Sequence, residues 1–272
     1  MRDPIDHIWQ DVARAVGAVD VVVVHPGGVP DPPSRCAAGG GVIHLSADPS
    51  DQHERPVDLA YLAFDGDAPT PWGGLPIERV RAAAHQAMQH LRPGGCLAVP
   101  GAVGEAFLAV LDEFGMRSEL TPEPVAVSDV LVVRRTTRTT VHDLVWEARA
   151  VVERVHAAEL AGELDGDDPP TVVDTRTHTD RSRAGIIAGS IHVPRTVLEW
   201  HLDPANGYRH PVLRGLDQRL VLVCNGGYSS SLAAASLQRL GFTGVRDLVG
   251  GMRAWLAGGH AVVPADHDHL DL

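Results

Sequence analysis

Cys224 stands where a thiol can be made reactive. It closes an apolar run in the stretch VLVCNGGYSSSLAAASLQRLGF and is followed by Asn225, Gly226, Gly227, Tyr228, Ser229 and Ser230. The run before it reads as a buried strand, the glycines and serines as a tight loop, and the alanine- and leucine-rich remainder as a helix. A strand–loop–helix unit gathers loop N–H groups and the positive end of the helix dipole around one point, which favours negative charge there. A thiol at that point has its pKa drawn toward or below neutrality, and the thiolate is the reactive form. Gly226 and Gly227 let the backbone curl with no Cβ in the way. The segment therefore offers a candidate nucleophile in Cys224 and an anion cradle in Asn225–Ser230. Against this stands the plainer reading of a small hydrophobe buried at a strand end.

The other candidates are weaker. Cys36 and Cys96 complete a set of three scattered cysteines, too few for a disulfide framework. With no CxxC pair, a structural zinc site has little support. Cys96, in GGCLAV, reads as a buried strand residue, and Cys36 lies in a Pro- and Gly-rich loop. The tail ADHDHLDL carries His267 and His269, which a solvated disordered end explains better than a metal site. Neither a metal nor a cofactor is expected.

Composition narrows the partners. At 272 residues the chain exceeds the usual size of one domain, so two are expected. Hydrophobic content of 44% with 21% charged residues describes a globular chain. A net charge of -12 argues against a general binder of nucleic acid or of an anionic membrane. No run approaches the roughly 18 apolar residues of a membrane span. MRDPIDHIWQ lacks the pattern of a secretory signal, so the expected location is the cytoplasm.

The elements that would position Cys224 alternate between α and β. In residues 1–140, VDVVVV before HPGG, VIHLSAD, VDLAYLAFD, CLAVPG and SDVLVVRR read as strands. PIERVRAAAHQAMQHL and GEAFLAVLDEFG read as helices, the first opened by proline and stopped by RPGG, the second closed by glycine. TTRTT marks a boundary. In residues 141–272, one long amphipathic helix is expected over roughly 141–164. The strands TVVDTR, GSIHVP, RLVLVC and VRDL follow, with helices after Cys224 and at MRAWLAGG and a short helical turn at VLEWHL. The alternation implies a parallel sheet covered by helices.

Three separated pieces around Cys224 resemble the rhodanese family. VVDTR is similar to its early D-x-R strand, AGIIAGSIHVP to its GHIPGAINIP stretch, and DLVGGMRAW to its closing L-x-GG-x-x-AW signature, with Gly250, Gly251 and Trp255 matching. CNGGYSS falls between them as the active-site loop. The insert RTVLEWHLDP resembles an actinobacterial branch of the family. The resemblance covers about residues 141–262 and implies a parallel five-stranded sheet flanked by helices, with Cys224 as a sulfur-carrying nucleophile. A sulfane-sulfur donor would load it as a persulfide, and a thiol or a sulfur-carrier acceptor, small or protein, would unload it. Loop amides from Asn225 to Ser230 would hold the anion. Tyr228 would line the pocket or pack on the sheet, Trp255 belongs to the core, and Asp174 and Arg176 resemble the acid and base that tie strand to loop.

The departures concern substrate. Where many catalytic relatives carry arginine five residues after the cysteine, this chain has Ser229, and the loss of such a contact is worth roughly 2–3 kcal/mol in a transition state. Arg183 and Arg195, in the segments that would rim the cleft, are the candidate replacements for substrate binding. The usual GHIPGA histidine is Ile186. Phosphatases of the same fold place arginine six residues after the cysteine, and here that residue is Ser230, which disfavours phosphate-ester hydrolysis.

The first half, VDLAYLAFD with the following helix, LRPGGCLAV and the closing SDVLVVRR hairpin, resembles the second half of a class I S-adenosylmethionine-dependent methyltransferase domain. The first strand ends in HPGGVPDPPSRC, without the family's GxGxG. The resemblance therefore implies a degenerate Rossmann-like sheet over residues 1–140, used as a scaffold, in homodimerisation or to deliver a sulfur partner. Two alternatives to sulfur transfer stay open: a catalytically silent module that docks a partner, and a methyltransferase regulated by its second domain.

Overall fold

The computed structural model describes residues 5–16, 18, 21–25, 42–46, 56–63, 76–113, 115, 117–124, 127 and 129–265. Cys36, most of the HPGGVPDPPSRC segment, His267 and His269 lie outside them. The chain folds as two compact units, Met1–Asp143 and Leu144–Leu272.

The first unit runs α1 (Ile5–Val16), β1 (Val21–His25), β2 (Val42–Ser46), β3 (Val57–Leu62), α2 (Ile77–His90), β4 (Leu91–Pro100), α3 (Gly101–Glu113), β5 (Leu120–Pro122) and β6 (Val130–Arg135). Its six strands lie in the order β2-β1-β3-β4-β6-β5. The first four are mutually parallel, and β6 is antiparallel to both β4 and β5. Successive side chains of a strand face opposite ways, so a strand covered on both sides is apolar throughout. In β3 and β4, Ala60, Leu62, Leu97 and Val99 pack with α2 and α3 on one face. Leu59, Tyr61, Cys96 and Ala98 pack with α1 on the other. Cys96 is thus a buried strand residue, and burial pushes its thiol pKa up. The RPGG segment does not end α2 as a turn. α2 passes directly into β4, and RPGG sits inside that strand, where the β3–β4 register shifts and Gly94 takes φ +76°.

The TTRTT boundary opens α4 (Val141–Val151). Asp143 accepts from the Thr140 N–H and hydroxyl, so its carboxylate ties the residue before the helix to the first turn. The single long helix expected over 141–164 is three elements: α4, β7 (Glu153–Val155) and α5 (Ala157–Leu164). Three residues are too few to break a helical pattern visibly. The arrangement is imposed from outside the segment, by β7 pairing with a strand far along the chain.

The second unit continues with β8 (Thr171–Asp174), α6 (His178–Ala184), β9 (Ile191–His192), α7 (Leu198–Leu202), β10 (Leu220–Val223), α8 (Ser229–Arg239), β11 (Val245–Leu248) and α9 (Gly251–Ala257). Its sheet has the order β7-β11-β10-β8-β9, and every pairing is parallel. Val173, Leu220 and Leu222 pack with α7 and α8 on one face. Val172, Val221 and Val223 pack with α5, α9 and Trp255 on the other. This is the expected five-stranded parallel sheet between helices, with β10 at its centre and Cys224 at the carboxyl end of β10.

Candidate active site around Cys224

Cys224 follows the last residue of β10 and is 6% exposed, and N–H and hydroxyl groups of the following loop and helix start form a cup around its sulfur. The wall is the loop Asn225–Tyr228, which feeds α8. The Gly227 N–H donates to Cys224 Sγ at 3.1 Å, and Ser230 Oγ lies 3.3 Å from the same sulfur. Burial pushes the thiol pKa up, but hydrogen bonds from the Ser229 and Ser230 hydroxyls and from the Ser230 and Gly226 amides outweigh it. The net shift is downward from the ordinary thiol value, toward the thiolate.

A distant segment holds the loop's shape. The carbonyls of Cys224 and Asn225 accept from the N–H groups of Met252 and Arg253, at 2.9 and 3.1 Å, in the first turn of α9. Gly227 (φ +70°) and Gly251 (φ +60°) allow this approach, since a Cβ on Gly227 would stand 2.7 Å from Gly250 N. The VGG signature is therefore the bed of the active loop.

The remaining residues singled out in the sequence take distinct places. Asn225 is half-buried, and its side chain hydrogen-bonds Asp180 of α6. Gly226 is half-buried against the Tyr228 ring, which a Cβ would approach to 3.2 Å. Ser229 is exposed at the lip, whereas Ser230 is fully buried and also contacts Asp247 Oδ2 at 3.3 Å. Arg183 is exposed in the last turn of α6. Arg195 follows Pro194 and forms a two-armed pair with Glu199, both contacts 3.0 Å, so its charge is already engaged. Asp174 and Arg176 form a buried pair at 2.7 Å, and Arg176 Nη2 reaches the Gly185 carbonyl at 2.7 Å, tying β8 to the segment after α6. Ile186 is buried there and exchanges backbone bonds with Val263.

The cations behind the loop come from places the sequence reading passed over. Arg154 of β7 pairs with Asp247 of β11 at 3.0 Å, and the carboxylate is fully buried. Ser231 Oγ donates to the same carboxylate at 2.8 Å. Arg149 of α4 lies between the rings of Trp146 and Tyr228, its guanidinium carbon 5.4 and 5.2 Å from their centroids. Burial and the neighbouring Arg154 charge draw its pKa down to about 10, which leaves it charged at neutral pH. An aspartate inside the apolar strand VRDL was the available signal for Asp247, since a buried carboxylate needs a cation. Arg149 and Arg154 had none, because both lay in what reads as one amphipathic helix.

Among the described residues no group of three metal-ligating side chains is present, and no helix is long and apolar enough to cross a membrane. A cup of amides and hydroxyls around a buried thiol of lowered pKa can do covalent chemistry on a soft electrophile, and it can stabilise an anion on or beside the sulfur.

Comparison with known proteins places a rhodanese-like domain at residues 156–258. No curated protein matches the chain. Among solved structures, a Rhodopseudomonas palustris protein described as of unknown function, possible tyrosine phosphatase, shares 30% identity over 47% of this chain and 98% of its own, with a TM-score of 0.44. The polysulfide-sulfur transferase homodimer of Wolinella succinogenes shares 21% identity over 47% of this chain and 90% of its own (TM-score 0.36). The human single-domain sulfurtransferase shares 27% over 39% and 96% (TM-score 0.34).

Proposed function

Since residues 156–258 are a rhodanese-like domain, we propose that the chain is a sulfurtransferase in which Cys224 carries sulfane sulfur. The Cys224 thiolate attacks the outer sulfur of a donor, an S–S bond forms as the donor's own S–S bond breaks, and the donor leaves as a thiolate or, from thiosulfate, as sulfite. The persulfide then presents its terminal sulfur to a thiolate acceptor, small or carried on a protein. Attack there breaks the persulfide bond and restores the Cys224 thiolate, so electrons balance over the cycle with no outside oxidant. The observation that carries this reading is the Gly227 N–H at 3.1 Å and the Ser230 hydroxyl at 3.3 Å on Cys224 Sγ. The amide stabilises a sulfur anion at the floor of the cup, and the hydroxyl, whose one proton is shared with Asp247 Oδ2 at 3.3 Å, adds a weaker bond.

Donor choice follows from the lip. Ser229 offers a hydroxyl where a guanidinium would grip a dianion, and Asp180 lies beside Asn225. An alkyl persulfide, with one negative charge, suits this rim better than dianionic thiosulfate. The test is sulfur transfer from each donor class to a thiol acceptor, with Cys224→Ser as reference; turnover retained in that variant would sink the reading.

The absent loop cation also favours a second reading, a catalytically silent module that docks a partner. It predicts a Cys224 that takes up no sulfur and partner binding that survives Cys224→Ser. Phosphate-ester hydrolysis fits less well, because Ser230, at the sixth position after the cysteine, is buried against Asp247 and leaves no cation on the loop. For residues 1–140, the parallel strands closed by the antiparallel β5–β6 pair support the degenerate methyltransferase-type reading. The segment after β1, with its prolines and no GxGxG, does not fit S-adenosylmethionine. A scaffolding or dimerising role follows, and no step runs through that cofactor. Sulfur transfer to soluble thiols suits the cytoplasm.

A further inference from the structure

Three side chains converge on one backbone oxygen, the carbonyl of Gly227. Arg149 Nη2 donates at 2.9 Å and Arg154 Nη2 at 3.4 Å, and Ser231 Oγ, 3.1 Å away, shares its one hydroxyl proton between this oxygen and Asp247 Oδ2. They come from α4, α8 and β7, so no single element dictates the arrangement. Asp247 locks two of the three in place by accepting from both Arg154 and Ser231. The faces of Trp146 and Tyr228 hold the third, Arg149. Donors with a full charge make stronger bonds than neutral ones, so the carbonyl is gripped firmly.

The consequence lies on the other side of the same peptide. In a trans peptide the C=O and N–H point in opposite directions. With the Gly227 carbonyl drawn back into the clamp, the N–H of that unit, which belongs to Tyr228, points away from the clamp. The preceding N–H, that of Gly227, faces Cys224 Sγ at 3.1 Å. Gly227 sits at φ +70°, and glycine accepts either sign of φ, so its own preference does not hold the loop in this state. A flipped 227–228 peptide would aim a carbonyl dipole at the anion instead.

We infer that Arg149 is a positioning residue for Cys224: acting through the Gly227 carbonyl, it holds the loop in its anion-binding form and supplies from behind the positive charge that Ser229 and Ser230 do not supply from the front. This rests on the reading of Cys224 as a thiolate nucleophile. The groups around that sulfur are Ser229 and Ser230 of α8, Asp247 of β11, Arg154 of β7, Arg149 of α4 and, through Asn225, Asp180 of α6. The two guanidiniums of Arg149 and Arg154 and the one carboxylate of Asp247 sum to one net positive charge behind the loop.

The test is the pH dependence of Cys224 alkylation by iodoacetamide, assigned by peptide mass, on the full chain. The uncharged reagent needs no sulfur donor. If the wild-type protein fails to load sulfur, the carrier reading falls and this result still stands; if it loads sulfur but the variants titrate unchanged, this inference alone falls. Arg149→Gln should raise the midpoint by about 0.5–1 pH unit and slow alkylation below it roughly three- to tenfold. Ser231→Ala, which removes the hydroxyl shared between this carbonyl and Asp247, should shift the midpoint the same way by less. Arg239→Gln, which removes one positive charge from the far end of α8, should superimpose on wild type. A folded Arg149→Gln protein with the wild-type profile overturns the inference. Should that variant fail to fold, Ser231→Ala decides, and an unchanged profile there overturns it equally.

Discussion

Gly251 lies directly against the carbonyl of Cys224. A Cβ built on Gly251 would stand 2.3 Å from that oxygen and 2.8 Å from Gly227 N, the amide that faces the sulfur. Nothing can move aside, because both are backbone atoms of the active loop. Gly251→Ala should therefore destabilise the second unit by about 1–3 kcal/mol through strain at positive φ. It should also slow Cys224 alkylation at neutral pH. Thermal melting and alkylation rates check this, and a variant unchanged in both would contradict the role assigned to the glycine pair.

The buried Arg154–Asp247 pair is a liability if broken. Asp247 is fully buried, and its partner's side chain is 9% exposed. Asp247→Asn leaves a guanidinium with no countercharge in the interior, which costs about 3–5 kcal/mol for pairs of this kind. Denaturant unfolding should show the loss. Asp247→Asn should also loosen Ser231 and so affect alkylation, whereas a stability loss under about 1 kcal/mol would mean water reaches the site.

The direction of the Cys224 shift fixes a pH dependence. Its pKa is lowered in the folded protein, against the pull of burial, by hydrogen bonds from Ser229, Ser230 and Gly226. A depressed pKa stabilises the fold fully above the unfolded thiol's pKa, and that contribution fades as pH falls through the folded value. Reactivity follows the same sign. Sulfur uptake should rise with pH and level off below about pH 8.5, the ordinary thiol value. Ser230→Ala removes a hydroxyl 3.3 Å from Sγ and should move the inflection upward. An inflection at or above the ordinary value in the wild-type protein would contradict the donor arrangement described for the cup.

Ser229 is exposed at the lip of the cup, so a longer side chain can be placed there, with loss of the hydroxyl hydrogen bond to Cys224. Ser229→Arg should raise kcat/KM with thiosulfate roughly ten- to hundredfold, the scale on which one charge-stabilising donor acts. Activity with an alkyl persulfide, which carries one negative charge, should gain less. Steady-state rates with both donors decide it, and equal gains on the two would point to a general loop effect instead of recognition of charge.

The parts of this site that were legible in the sequence are those encoded locally. The run before Cys224, the glycines after it and the helix start sit within one short stretch, and the VGG-x-x-AW pattern marks the loop's bed. Asp174 and Arg176 are two residues apart and form their pair on one strand end. What stayed hidden depends on pairing across the chain. β7 is three residues long and becomes a strand only by lying beside β11, so Arg154 reads as part of a helix. Arg149 looks like an ordinary residue of an amphipathic helix until Tyr228 and Gly227 arrive from a loop far along the chain. The cation sought at the lip, in Arg183 or Arg195, has counterparts behind the loop because backbone carbonyls, which sequence patterns do not advertise, are what those arginines bind.

The most direct test of sulfur carriage is the intact mass of the purified full chain after exposure to polysulfide, a persulfide and thiosulfate in turn, beside Cys224→Ser. The account predicts a gain of one sulfur atom in the wild-type protein, strongest with the persulfide, removed by a thiol acceptor and absent in the variant. No gain with any donor, or the same gain in Cys224→Ser, would contradict it.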